Sequence, residues 1–328
     1  MKTKNILRQS LFRTDAMQRV LAFGGLIALF LVFSILRPAY FPTFDNVTGI
    51  LLATAVNGVL ALGVTFVIVN GGIDLSVGTV MSFSAVMTAQ FIIIWKLPIP
   101  VGVVGGIAAG ALCGLVNGAM IAKMKVPPFV ATLGMLYATK GLALVISTLK
   151  PIYFNDAPAF RTISMGSILG AVIPGFDIPN AVLILFGLAI IASLILTRTV
   201  LGRYTFALGS NEEATRLSGV AVDRWKMAVY TICGMFAGMA GVMMASRLNS
   251  AQPALGAGYE LDAIAAAVIG GTSLSGGEGT ILGTIIGAFV ISTLANGLRI
   301  MSVPQEWQTV VTGTILVLAV YMDRRRRR

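Results

Sequence analysis

Apolar runs about twenty residues long recur along this chain, separated by short polar intervals, and nothing else constrains its fold so strongly. A helix needs about 20 apolar residues to cross the hydrocarbon of a bilayer, with a range of about 17–25. Runs of that kind occupy positions 20–36, 47–69, 77–95, 99–122, 129–149, 181–196, 227–246, 281–298 and 307–322. One further run, 263–271, is short and ends in glycines, so it reads as a half-span. Composition points the same way. Hydrophobic residues make up 56% of the 328 and charged residues only 11%, too little to cover a soluble surface of that size. The expected fold is an all-α, polytopic transmembrane helix bundle of about ten membrane segments, one or two of them broken. The run at 20–36 is followed by no small-residue cleavage site, so it reads as an anchor and not as a removable secretory signal.

Basic residues orient such a bundle. Ten crossings put both termini on one side. That side holds Lys2, Lys4, Arg8, Arg13, Arg19, Lys123, Lys125, Arg198, Arg203, Arg216, Arg224, Lys226 and Arg324 to Arg328, seventeen in all. The other side holds six: Arg37, Lys96, Lys150, Arg161, Arg247 and Arg299. The excess marks the first side, with both termini, as cytoplasmic. It accounts for most of the net charge of +11 as a topology and anionic-lipid signal, so no nucleic-acid partner is expected. The domain reading follows: a basic tail at 1–19, one transmembrane domain at 20–322 and a second basic tail at 323–328. An external loop at 150–180 carries Pro151, Pro158, Pro174 and Pro179.

The interval 197–226 is the polar exception, with eight charged side chains in thirty residues. Ser210 followed three residues later by Glu213 has the form of a capping box, Glu212 and Glu213 suit the positive start of a helix, and Gly219 suits its end. Eight or nine residues span about 12–14 Å, too short to cross a membrane. A short cytoplasmic helix specified at both ends reads as a docking element, with Ser210, Glu212, Glu213, Ala214, Arg216, Leu217 and Gly219 as its residues.

Two spans end in similar irregular sequence, Asn70-Gly-Gly-Ile-Asp-Leu-Ser-Val-Gly78 and Ile269-Gly-Gly-Thr-Ser-Leu-Ser-Gly-Gly-Glu-Gly279. Non-helical backbone at membrane depth survives only inside protein or along a wet cavity, and glycine-broken segments in both halves of a chain point to a transport path. The candidate path residues are Asn70, Gly71, Gly72, Asp74, Ser76, Gly270, Gly271, Thr272 and Ser273, with Lys140 as a partner for Asp74 from mid-span. Asp74 equally suits capping of the helix that follows it. Glu260 and Asp262 lie at the external mouth of the half-span, where they meet a partner, line the entrance or cap that helix. The ridge Gly106-xxx-Gly110-xxx-Gly114-xxx-Gly118 reads as helix packing.

Missing chemistry narrows the function. The chain has no histidine, two cysteines inside apolar runs, no phosphate-binding loop and no nucleophile paired with a base. Neither a catalytic residue nor a metal site is expected.

The two glycine-broken motifs resemble the permease subunits of bacterial ABC importers for ribose and related monosaccharides. So do Leu201-Gly-Arg-Tyr204, Ala214-Thr-Arg-Leu-Ser-Gly219, Ser250-Ala-Gln-Pro253 and Gly258-Tyr-Glu-Leu-Asp-Ala-Ile-Ala-Ala266. The similarity runs from about Phe44 to the C-terminus. It implies a multi-pass protein of the bacterial inner (plasma) membrane. The implied partners are a second permease copy, a cytoplasmic ATPase that holds ATP and Mg, and an extracytoplasmic sugar-binding protein, and no cofactor is bound by this chain itself. It also implies that the capped helix is the coupling helix, and that Glu260 and Asp262 face the binding protein. The competing class is an ion-driven secondary transporter of a small polar solute. That class would call for more intramembrane carboxylates than Asp74 alone.

Overall fold

Helix α2, Phe44–Val69, is the axis on which the molecule is built. Thr43 caps it by accepting from the Asn46 amide at 3.3 Å, and from Thr54 to Val69 every residue is buried. The computed structural model describes residues 20–173, 175 and 177–326. The basic tail 1–19, Pro174, Phe176 and the last two arginines lie outside the described residues.

Helix α1, Val20–Leu36, lies against the start of α2 through Phe30, Phe33 and Phe41. Beyond α2 come α3, Val77–Ala89, which closes on a wider π turn at Gln90–Ile94, then α4, Ile99–Ala122, and α5, Pro128–Ile146. Both α4 and α5 open with proline in the first turn, where its missing N–H costs nothing. The segment after α5 contains strand β1, Ile152–Tyr153, and short helices α6, Thr162–Met165, and α7, Ile168–Val172. The second half runs α8, Asn180–Arg198; α9, Val200–Ser210; α10, Glu212–Leu217; and α11, Val222–Leu248. Strand β2, Ser250–Ala251, then pairs antiparallel with β1. Helices α12, Tyr259–Ile269, α13, Ile281–Ile300, and α14, Gln305–Arg326, complete the described chain.

Seven of these helices are long and apolar enough to cross a membrane: α2, α3 with its π turn, α4, α5, α8, α11 and α13. The chain is therefore an all-α polytopic bundle. The half-span foreseen near 263–271 is the 11-residue α12, and the run 307–322 lies within α14.

The halves interlock. The glycine ridge of α4 packs on α11, where a methyl group on Gly110 or Gly114 would collide with backbone at Gly234, Gly238 or Tyr230. Such close approach is what a small-residue stripe provides in a membrane, as expected. Helix α13 packs on α2 in turn, with the Thr65 and Thr284 hydroxyls 2.7 Å apart. The bundle has two ends. At one, α10 lies beside the start of α11. At the other, α11 runs into β2, and Lys96 pairs with Asp156 at 2.9 Å.

Candidate functional site

Helix α10 is six residues long and differs at its start from the sequence expectation. Ser210 is the last residue of α9, and its hydroxyl donates back to the Phe206 carbonyl at 2.9 Å. The cap is Asn211, whose extended backbone lets its side-chain oxygen accept from the Ala214 amide at 2.9 Å. The Ser210–Glu213 capping box is therefore replaced by an Asn211 cap. A helix running through Ser210 leaves the next residue to make the turn. The other end matches, since Gly219 has φ 82°, the left-handed conformation that glycine adopts without strain.

Anchoring of α10 comes from one side only. Glu212 accepts from Lys226 of α11 at 2.5 Å and from Arg216, one turn on, at 2.9 Å. Partial burial pushes the Glu212 carboxyl up, but Lys226 and Arg216 outweigh it and hold it below its ordinary range. Thr215 is buried, while Glu213, Ala214 and Leu217 face outward. Leu217 is 84% exposed, an apolar side chain presented at the tip of a charged helix.

Behind α10 the two glycine-broken segments meet. The Gly277 amide donates to the Val69 carbonyl at the end of α2, at 2.8 Å. Gly209 of α9 packs against Val69 and Gly277, and Gly276 packs against Gly209 and Gly71. No room exists there for a side chain on Gly209. The turns at Gly71 and Gly271, with φ 81° and 93°, thus belong to one joint at the α10 end. Of the residues predicted for the path, Asn70 ends α2, and Thr272 and Ser273 are buried in this joint.

From the joint, residues 70–76 pass into the bundle, and α3 starts at depth. Asp74, 2% exposed, accepts from the Ser76 amide at 2.8 Å and the Ser76 hydroxyl at 2.6 Å, and the buried Cys233 lies beside it. The Ser76 hydroxyl accepts from Asn117 of α4 at 3.0 Å. The Tyr230 hydroxyl lies against Gly72, and neither it nor the Asn117 side-chain oxygen has a hydrogen-bond partner. Lys140 is not part of this cluster. The inward face of α5 is Thr132, Met135, Thr139 and Ala143, with Thr139 donating to Thr79 at 2.9 Å, and Lys140 projects from the exposed side. The separation follows from helical spacing: a residue one position after Thr139 points about 100° away from it.

The N-termini of α3 and α12 meet at Gly78 and Gly256, whose backbones touch. Glu260 fills that contact and folds back to accept from the Gly258 amide at 3.1 Å, so it closes its own helix. Asp262 points elsewhere, into a cavity of 260 Å³ that Arg247, Tyr259, Asn57 and Arg299 also line.

Residues 46–320 match the family described as branched-chain amino acid transport system / permease component. The chain belongs to this permease family. The permease is 40% identical over 305 residues to the ribose import permease protein of Escherichia coli (strain K12), covering 92% of each chain. It is 40% identical to that of Bacillus subtilis (strain 168) over 94% of each. To the xylose transport system permease protein of Escherichia coli (strain K12) it is 34% identical, over 92% of this chain and 90% of the relative. It is a multi-pass inner-membrane permease subunit, and it is not itself an enzyme.

Sequence reasoning leaves out Asn117 and Tyr230, which the permease fold brings to Asp74, and Asn57, Arg247 and Arg299, which it brings to the cavity at Asp262. Asn57 and Asn117 carry a readable signal, each a lone amide in the middle of an apolar run. Arg247 and Arg299 sit at helix ends and read as topology charges.

Proposed function

We propose that this chain is the membrane-spanning subunit of an ATP-driven importer carrying ribose or a related monosaccharide, with α10 as its dock for a separate ATPase that holds ATP and Mg. The observation that carries the reading is α10 itself. It is a short helix anchored on one face by Glu212 and Thr215, offering Glu213, Ala214, Arg216 and Leu217 on the other, and backed by a joint that ties Gly209 to both broken segments. An amphipathic helix with one exposed apolar anchor fits a groove in a partner, with flanking charges to set register. A displacement of α10, passed through Ser210, Gly209 and Gly277, would reach Val69, Asn70 to Gly72 and Gly270 to Ser273, and so shift α3 and α12. The names of the relatives support a sugar: the ribose and xylose permeases are the matches at 40% and 34%, although the family is described by branched-chain amino acids.

The reading extends to topology and partners. The seven long helices with α1, α12 and α14 make ten segments across the domain 20–322. The basic excess supports placing α10 and both tails in the cytoplasm. The β1–β2 end then faces outward and receives a sugar-binding protein near Glu260 and Asp262. A second copy of the chain completes the transporter. Lys140 on the exposed side of α5 supports this, because a cation at mid-span is expected to face protein or a wet path and not lipid.

Uptake of labelled ribose, measured with and without the ATPase, tests the reading. Uptake undiminished without the ATPase rejects it. Gly219→Pro, which the φ of 82° forbids, and deletion of residues 212–217 are expected to leave the chain inserted while the ATPase no longer co-purifies. Normal co-purification together with normal uptake would reject α10 as the dock.

A further inference from the structure

The cavity at Asp262 has properties that helix packing alone does not explain. It is a groove between four helices. On α2 it takes Gly49, Ala53 and Asn57, and on α13 Ser292, Asn296 and Arg299. Each series runs along one helix face over seven or eight residues, so the groove is about 12 Å deep. Arg247 and Arg299 are at its mouth, because both belong to the last turns of their helices at the β1–β2 end. Asn57, halfway along α2, is its floor.

Three observations give the groove its chemistry. Asn57 is 5% exposed, and its side-chain oxygen has no hydrogen-bond partner. Arg247 spends one N–H on the Leu52 carbonyl at 3.3 Å, which holds the guanidinium in place and leaves its other donors toward the cavity. Asp262 lines the same cavity and supplies an acceptor. Donor forks, a carboxylate and an amide around 260 Å³ can embrace a small molecule that offers paired donors and acceptors at every position. Charged and amide groups around a groove this deep require it to be wet or covered by protein, since lipid satisfies none of them. Snorkelling accounts for an arginine at a helix end, but not for an unpartnered asparagine two turns below it.

We propose that this groove is a solute site: an entry station for a neutral polyhydroxylated molecule the size of a monosaccharide. Arg247 and Arg299 receive adjacent hydroxyls at the mouth, Asp262 accepts from them, and Asn57 is the deepest contact. The proposal rests on the import reading above and adds to it a site that neither the joint nor the Asp74 cluster supplies.

The complete transporter in right-side-out vesicles, with ATPase and binding protein, tests it with labelled ribose. Asn57→Ala and Asp262→Asn are expected to lower uptake about tenfold each, the loss of one buried hydrogen bond, while the ATPase still co-purifies. Wild-type uptake matched by both variants overturns the site. So does loss of uptake by Asn57→Ala accompanied by loss of binding-protein co-sedimentation, which would make the groove a protein-docking surface. A membrane-impermeant cationic methanethiosulfonate reagent supplies the second arm. Ser292→Cys is expected to react and to lose uptake on modification, and a thiol that stays unreactive overturns the wet groove. Absence of ribose uptake by wild type strikes the import reading instead. In that case reaction at Ser292→Cys, slowed by 100 mM ribose, still supports the site, and reaction that ribose does not slow overturns it.

Discussion

Two polar sites border α11, one toward each end, and their difference is instructive. Each lies where a helix begins inside the bundle: α3 just after Asp74 and α12 at Tyr259 to Asp262. Each has a carboxylate on the break and an amide from the helix that packs opposite, Asn117 of α4 or Asn296 of α13. Around Asp74, however, α11 contributes Tyr230 and Cys233, and all three side chains are shut off from solvent. Around Asp262, α2 contributes Gly49 and Ala53, and the space is a 260 Å³ groove. One helical plan therefore yields a closed cluster near α10 and an open groove away from it.

Truncation should break that contrast most strongly at the closed end. Tyr230 is 1% exposed, so Tyr230→Ala leaves a void and is expected to cost about 3–5 kcal/mol. Tyr259→Ala, at a position that already borders open space, is expected to cost well under half as much. Thermal unfolding of the purified protein in detergent checks the pair, and equal losses would mean that the groove is closed in the native protein. The carboxylates should differ less, but in the same direction. Asp74→Ala strands the Ser76 donors in a buried site, at about 1–3 kcal/mol. Asp262→Ala removes a side chain that faces a cavity and is expected to change stability by under about 0.5 kcal/mol while reducing uptake. Loss of stability at Asp262 as large as at Asp74 would make both carboxylates structural.

Most of the fold was legible because lipid leaves a chain few options. Spans of twenty apolar residues must be helices, so α2, α4, α5, α8, α11 and α13 fall close to where hydropathy puts them. The half-helix α12 was marked by its length and its glycines. Pairing was not legible. The motifs at 70–78 and 269–279 look like equivalents in the two halves, yet they fold into one joint at one end, because Gly277 reaches the carbonyl that ends α2. Hydropathy ranks residues by depth and says nothing of azimuth, so mid-span Lys140 reads as a partner for Asp74, whereas it projects from the exposed side of α5. Asn57 and Asn117 were passed over for a related reason: one amide hardly changes the mean of a twenty-residue window.

The smallest expected effect asks whether the closed cluster, and not the groove, is wired to α10. Lys226, which holds Glu212, is four residues before Tyr230 on α11, so both lie on one face of that helix. The Glu212 carboxyl is held below its ordinary value of about 4.3, so the pair contributes above that value and is lost as pH falls through the depressed one. The bridge is partly exposed, and solvent screening limits it to under about 1 kcal/mol. Co-purification of the ATPase should therefore be flat from about pH 8 to about pH 5 and weaken only in more acid solution. Glu212→Gln should weaken it two- to fivefold throughout that range, within the worth of one exposed pair. The same variant should quicken reaction of buried Cys233 with a small thiol reagent, since Cys233 closes the Asp74 cluster, and leave Ser292→Cys in the groove unchanged. Equal changes at both thiols would mean that α10 moves the bundle as one body, and that the two pockets differ in volume alone.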